Sequence, residues 1–137
     1  MKKREQVSKI MTANPITVNT NNKVSEVVDI FQKEQIHHIP VVSGNSLIGI
    51  ISKSDIDKIS FVTNAQDAKA NTAVYDNLQI EQIMTNTVES IQAEDQIREA
   101  AELLAQGEYH ALPVMEGEEL KGIVTSTDVI QYLLEQY

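Results

Sequence analysis

Two aspartates, Asp55 and Asp128, each stand three residues after a hydroxyl side chain that ends a β-branched run. The stretches are Gly49-Ile50-Ile51-Ser52-Lys53-Ser54-Asp55 and Gly122-Ile123-Val124-Thr125-Ser126-Thr127-Asp128. An apolar, periodic segment follows each, so both read as a buried strand running into the first turn of a helix. Such a turn presents unpaired N–H groups and partial positive charge, which attract phosphate. Ser52, Ser54, Thr125 and Thr127 add hydroxyl donors. An ionised aspartate only accepts hydrogen bonds and so suits the two O–H donors of a vicinal diol. A ribose carrying a phosphate offers both groups. The same residues are also preferred helix N-caps, and a lone S/T-x-x-D is a common motif. Capping and ligand binding are both open on the motif alone; its duplication with the same flanks favours the ligand.

The elements that must position these groups are themselves duplicated. A shift of 73 residues aligns 10–56 with 83–129 without a gap, and 12 of the 47 positions are identical, enough to mark an internal repeat. Ile10-Met11-Thr12 falls on Ile83-Met84-Thr85, His37 on His110, Pro40-Val41 on Pro113-Val114, and Gly49-Ile50 on Gly122-Ile123. In each copy a short helix ends at Ile10-Met11 or Ile83-Met84, and an extended segment follows at Ile16–Val18 or Val88–Ile91. Val24, Val27, Val28, Ile30 and Phe31 then recur at helical spacing, matched by Ile97, Ala100, Ala101, Leu103 and Leu104. Asp95 stands where an N-cap belongs and Gly107 where a helix C-terminus belongs. Two strands come next, Ile39–Val42 with Leu47–Ser52 and Leu112–Met115 with Leu120–Thr125, joined by turns at Ser43-Gly44-Asn45 and Glu116-Gly117-Glu118. Each repeat is thus β-α-β-β-α with helices on one sheet face. The expected fold is α+β, two pseudo-symmetric repeats packed sheet to sheet. Its boundaries are 1–62 for the first repeat (core motif 10–56), 63–79 for a linker and 80–137 for the second (core motif 83–129). The linker region is the least legible, with a helical turn or two expected in 65–70 and 72–77.

Composition narrows the function. A chain of 137 residues suffices for one buried domain or two small modules sharing a core. It has no cysteine, which excludes disulfides, cysteine–zinc sites and thiol catalysis. The basic start Met1-Lys2-Lys3-Arg4 is followed by no apolar segment of signal-peptide type, and no run reaches membrane-spanning length, so a cytoplasmic protein is expected. Net charge is −9, distributed as +2 over residues 1–70 and −11 over 71–137. An acidic chain without a basic patch is a poor nucleic-acid binder.

These motifs, in order and twice over, closely resemble a tandem pair of CBS domains, often called a Bateman module. The resemblance rests on Ile-Met-Thr, the amphipathic helix, His-x-h-Pro-Val-h and Gly-Ile-h-[ST]-x-[ST]-Asp (h, apolar), and it spans roughly residues 4–136. It implies a regulatory module binding adenosine-containing ligands in two clefts between the repeats. The aspartate would hold the ribose hydroxyls, the Ser/Thr residues the phosphate, and apolar residues of the opposite repeat the adenine. Carried over, one cleft would use Ile123, Thr125, Thr127, Asp128 and His110 with Ile16, Ile36 and His37 opposite. The other would use Ile50, Ser52, Ser54, Asp55 and His37 with Glu89, Tyr109 and His110 opposite. Relatives that grip polyphosphates often carry arginine directly after the histidine; here His38 and Ala111 stand there, with Lys53 and the N-terminal lysines as the only substitutes. Glu89 replaces the apolar Ile16 at the second adenine wall. The family also implies a homodimer, and an antiparallel one would set the +2 half of one copy against the −11 half of the other.

Other chemistries find less support. His37, His38 and His110 show no metal-ligand spacing. On a strand, the consecutive pair points to opposite faces. No nucleophile elbow or Cys–His arrangement is present. The expectation is therefore a non-catalytic module with no required cofactor and no metal site. It would take AMP or ADP, or else ATP or another adenosyl compound, as a regulatory ligand and relay occupancy to a separate protein. A structural scaffold with degenerate clefts is the alternative.

Overall fold

The computed structural model of the chain describes residues 4–62, 75–86 and 89–137. A short 3-10 turn at Val7–Lys9 comes first. In chain order the elements are then β1 (Thr12–Ala13), β2 (Val18–Asn19), α1 (Val24–Lys33), β3 (His38–Ser43), β4 (Ser46–Ser52), α2 (Lys53–Val62), α3 (Ile80–Ile83), β5 (Ile91–Gln92), α4 (Ile97–Ala105), β6 (Ala111–Glu116), β7 (Glu119–Thr125) and α5 (Ser126–Glu135). They form two compact units, a contiguous one of Ile16–Thr87 and a split one of Met1–Pro15 with Val88–Tyr137.

In the contiguous unit β2 pairs parallel with β3, and β3 pairs antiparallel with β4. Thr85 bridges Ile50 on the outer side of β4. The split unit has the same plan in the order β1-β7-β6-β5. Both hairpins turn in two residues, and the first of each is a glycine at positive φ, +60° at Gly44 and +63° at Gly117. Such a φ suits a tight hairpin connection and strains a residue with a Cβ. Both hairpins also bulge at the same place, between Val41 and Val42 and between Val114 and Met115. The sequence repeat is therefore a structural repeat down to its irregularities.

Helices α1 and α4 bury the face their spacing predicts. In α1 these are Val24, Val27 and Phe31, and in α4 Ile97, Ala100 and Leu104. The repeat identity Glu26/Glu99 has a local cause. Each carboxylate turns back to accept the backbone N–H of the N-cap, Lys23 at 3.1 Å and Gln96 at 3.0 Å. That bond, with a second from the Asn22 side chain, holds the Glu26 carboxyl below its ordinary pKa. The cap of α4 is Gln96 rather than the expected Asp95. The Asp95 carboxylate instead accepts the Gln92 N–H at 3.0 Å, and its carbonyl accepts the Val7 N–H at 2.8 Å. Gly107, at φ +82°, follows the helix end as expected. Val88 and most of the region read as a linker (63–74) lie outside the described residues, but Tyr75 is buried in the contiguous unit's core and Asp76 accepts the Ser25 hydroxyl at 2.6 Å.

The packing units cut across the sequence repeats. Val7, Ile10 and Met11, which precede the first repeat's sheet, pack against Leu112, Val114 and Val124 of the second. Tyr75, Ile80 and Met84 pack likewise on Ile39, Val41 and Ile51 of the first. The contact is tightest at the two motif glycines. A Cβ on Gly122 would lie 2.6 Å from the Met11 sulfur and 2.8 Å from the Thr12 carbonyl oxygen, and one on Gly49 would meet Met84 and Thr85 at the same distances. Ile-Met-Thr and the motif glycine thus form a lock and its slot, each repeat's Ile-Met-Thr serving the other repeat's glycine. Overpacking of this kind costs ~1–3 kcal/mol. Gly122→Ala and Gly49→Ala are each expected to lose that much in urea unfolding, and Met11→Ala is expected to restore only part of the Gly122→Ala loss, because the Thr12 carbonyl remains. Variants as stable as the parent would contradict this packing.

Candidate functional site

Strand β7 brings Val124 into the core, fully buried, and delivers Thr125 to the sheet edge as the N-cap of α5. There the hydroxyl and the carboxylate bond reciprocally. The Thr125 N–H donates to Asp128 Oδ2 at 2.9 Å, and the Asp128 N–H donates to Thr125 Oγ1 at 3.1 Å. The N–H of Ser126, the first helical residue, donates to the His110 carbonyl at 3.1 Å. The contiguous unit repeats each bond. Ser52 N–H reaches Asp55 Oδ2 at 2.9 Å, Asp55 N–H reaches Ser52 Oγ at 3.2 Å, and Lys53 N–H reaches the His37 carbonyl at 2.8 Å. Ser52 and Ser54 also bond each other through their hydroxyls at 2.8 Å.

The capping reading of the motif is therefore realised at both junctions. It does not use the motif up. Asp128 Oδ1 and Asp55 Oδ1 accept no hydrogen bond among the described residues. Two of the first three helical amides at each junction are engaged, which narrows the anion-binding helix terminus of the sequence reading to one amide, Thr127 or Ser54, with the hydroxyls beside it. Thr127 and Ser54 are exposed, and Thr125, Ser52 and both aspartates are half-buried. What each junction presents is one carboxylate oxygen, a cluster of hydroxyls and one amide, held by a closed ring of backbone bonds. These groups can bind a diol and an adjoining anion. They contain no nucleophile–base pair.

The structure brings His110, Ile123, Thr125, Thr127 and Asp128 together in the split unit, and His37, Ile50, Ser52, Ser54 and Asp55 together in the contiguous unit. Both histidine side chains are exposed, while their carbonyls are tied to the helix starts. Ile50 and Ile123 are each 7% exposed and held by pairing to Thr85 and Thr12. Of the residues expected opposite, Ile36 packs against the contiguous unit's core and Tyr109 against the split unit's. Ile16, on the contiguous unit, is 40% exposed, and Glu89, on the split unit, is exposed. Among the described residues no group of His, Cys, Asp or Glu could hold a metal ion. No helix among them is long and apolar enough to cross a membrane. A cleft of about 330 Å³ in the split unit, lined by Gln6, Ser8, Gln92, Glu94 and Glu116 among others, includes none of these site residues.

The pairing of Ser126 and Lys53 amides with the histidine carbonyls was not anticipated. The His-x-h-Pro spacing shows that a histidine precedes each central strand, but only the β6–β7 and β3–β4 registers place its carbonyl at the helix start.

Comparison with known proteins places this geometry. The homoserine O-acetyltransferase of Methanocorpusculum labreanum is 34% identical over 122 residues, which is 88% of this chain and 22% of that protein. The chain spans less than half the length of such curated relatives, from 21% to 45% of each. The CBS domain pair of protein MJ0100, in complex with 5′-methylthioadenosine and S-adenosyl-L-methionine, superposes with a TM-score of 0.78 at 27% identity, covering 97% of this chain and 98% of that one. CBSX2 of Arabidopsis thaliana, in complex with AMP, superposes with a TM-score of 0.77 at 23% identity, covering 96% and 97%. The CBS-domain profile matches residues 7–61 and again 80–135, so the chain belongs to the CBS-domain family and carries two such domains in tandem.

Proposed function

We propose that this CBS pair is a non-catalytic regulatory module that binds an adenine nucleotide and signals its occupancy to a partner protein. The observation that carries the reading is the pair of capping rings. Each fixes a carboxylate by one oxygen and leaves the other, with Ser/Thr hydroxyls and one helical amide, for a ribose and its phosphate. The ligands of MJ0100, both adenosine compounds without a phosphate, support the adenosine part. The phosphate part rests on Thr125, Thr127, Ser52 and Ser54. AMP and ADP fit best, because no arginine stands near either junction motif and Lys53 alone follows a cap. The acetyltransferase match covers 22% of that protein and carries no activity to this chain. A ligand that binds one conformation better than another acts by shifting the population toward it.

Thermal unfolding with AMP, ADP, ATP and S-adenosylmethionine, titrated separately, tests the reading. A ligand at one hundred times its dissociation constant adds ~2.7 kcal/mol to the folded state. The midpoint is expected to rise by several degrees with a nucleotide, and Asp128→Ala or Asp55→Ala is expected to remove the rise from its own junction. No rise with any of the four at millimolar concentration would favour the scaffold alternative.

The same chain is proposed to pair with a second copy of itself. Ile130, Leu133, Leu134 and Tyr137 recur along one stripe of α5 and its end, 58%, 41%, 62% and 96% exposed. Asp128 and Glu135 are the only charges on that helix, so it can approach another protein surface without a desolvation penalty along the stripe. An antiparallel pair sets it against the less acidic half of the second copy. Burying a Leu or Ile contributes ~1.5–3 kcal/mol, so Ile130→Lys with Leu134→Lys is expected to halve the mass seen by light scattering. An unchanged mass would exclude this face.

A further inference from the structure

Residues 5–13 grip the split unit's junction from both sides. Ahead of it, Thr12 pairs with Ile123, two residues before the Thr125 cap. Beyond it, the Tyr132 hydroxyl donates to the Glu5 carboxylate. Tyr132 lies one turn after Asp128 on α5 and is 8% exposed. The rest of the segment is fastened by Val7 N–H to the Asp95 carbonyl at 2.8 Å and Ile97 N–H to the Glu5 carbonyl at 2.9 Å. The contiguous unit repeats the first contact, with Thr85 bridging Ile50, but among the described residues it has no counterpart of the second. A shift of 73 residues puts Leu78 in place of Glu5 and Ile59 in place of Tyr132, and both pack against its apolar core.

We propose that the Tyr132–Glu5 hydrogen bond is a relay that couples the Thr125–Asp128 site to the docking of residues 5–13. A ligand that orders the head of α5 fixes the turn that carries Tyr132, and so tightens the segment one turn further on. Coupling of this kind is reciprocal, so undocking the segment weakens the ligand. The hydrogen bond to Glu5, and burial after it, raise the Tyr132 pKa above its ordinary value, in keeping with a phenol that donates to a carboxylate. The polar pair suits a contact that must open and close. Its apolar counterpart in the other unit belongs to a continuous core. The inference takes its ligand from the nucleotide reading of the same junction, but the coupling itself is measurable without ligand.

Hydrogen exchange on the full chain tests it, with the amides of α1 in the other unit as the gauge of global opening. In the ligand-free chain, Asp128→Ala is expected to speed exchange over residues 5–13 by about five-fold or more, the lower end of typical site-to-site coupling. In a Tyr132→Phe background the same change is expected to add nothing. AMP is expected to slow exchange over residues 5–13 in the parent and to bind Tyr132→Phe more weakly without slowing it. Exchange that ignores Asp128→Ala, or that responds equally in the Tyr132→Phe background, would overturn the relay. Absence of AMP binding in calorimetry would overturn the nucleotide reading instead, and the ligand-free comparison would still decide the relay.

Discussion

A carboxylate has two oxygens, and the start of a helix needs one of them. At Asp55 and Asp128 the Oδ2 atom closes a ring with the N-cap amide, while the N-cap hydroxyl closes the other half with the aspartate amide. The ring fixes where the strand ends, where the helix starts and how the second oxygen is aimed. As the proposed ligand site, such a junction is organised before a ligand arrives, because its donors and acceptor are already held by backbone bonds. On the proposed reading, the same few residues serve stability and recognition together. Loss of an N-cap costs ~0.5–2 kcal/mol, so removal of either aspartate has a structural effect that must be separated from its effect on binding.

The rings depend in turn on sheets that neither repeat completes alone. The outer side of β7 is covered by Thr12 and Ala13, and that of β4 by Thr85. Both docked segments come from the sequence ahead of the other repeat, and both rest on a glycine that has no room for a Cβ. A single repeat of about fifty residues has a small core. The docked segments enlarge each one, with Val7 and Ile80 both fully buried. This exchange ties folding of each half to the presence of the other half's flanking chain.

Most of this architecture is legible in the residues, and the reasons differ by element. Helices α1 and α4 announce themselves because an apolar stripe at period 3.6 has few alternatives. The hairpins do so because Gly44 and Gly117 sit between β-branched runs. The junction motif is equally clear, but its letters alone leave capping and binding unresolved. Only the bonding pattern shows that one oxygen and one amide remain. Three features are hidden from the sequence for a physical reason. Asp95 has the side chain of an N-cap, yet it closes the turn after β5 and leaves the cap to Gln96, a choice set by the Gln92 N–H. The docking of Met11 on Gly122 joins residues 111 positions apart, and nothing in their local patterns says which glycine each methionine meets. Glu5 and Tyr132 are hidden the same way.

The capping rings leave a defined set of groups, which the proposed function assigns to a nucleotide. Amide-resolved NMR during an AMP titration tests it most directly, because the ring divides the helix-start amides into engaged and available. The Thr127 or Ser54 amide signal is expected to move most as its N–H meets the phosphate. The neighbouring Ser126 or Lys53 and Asp128 or Asp55 amides, already bonded within the protein, should move less. Saturating AMP that shifts other regions while leaving Thr127 and Ser54 unchanged would place the ligand elsewhere and contradict it.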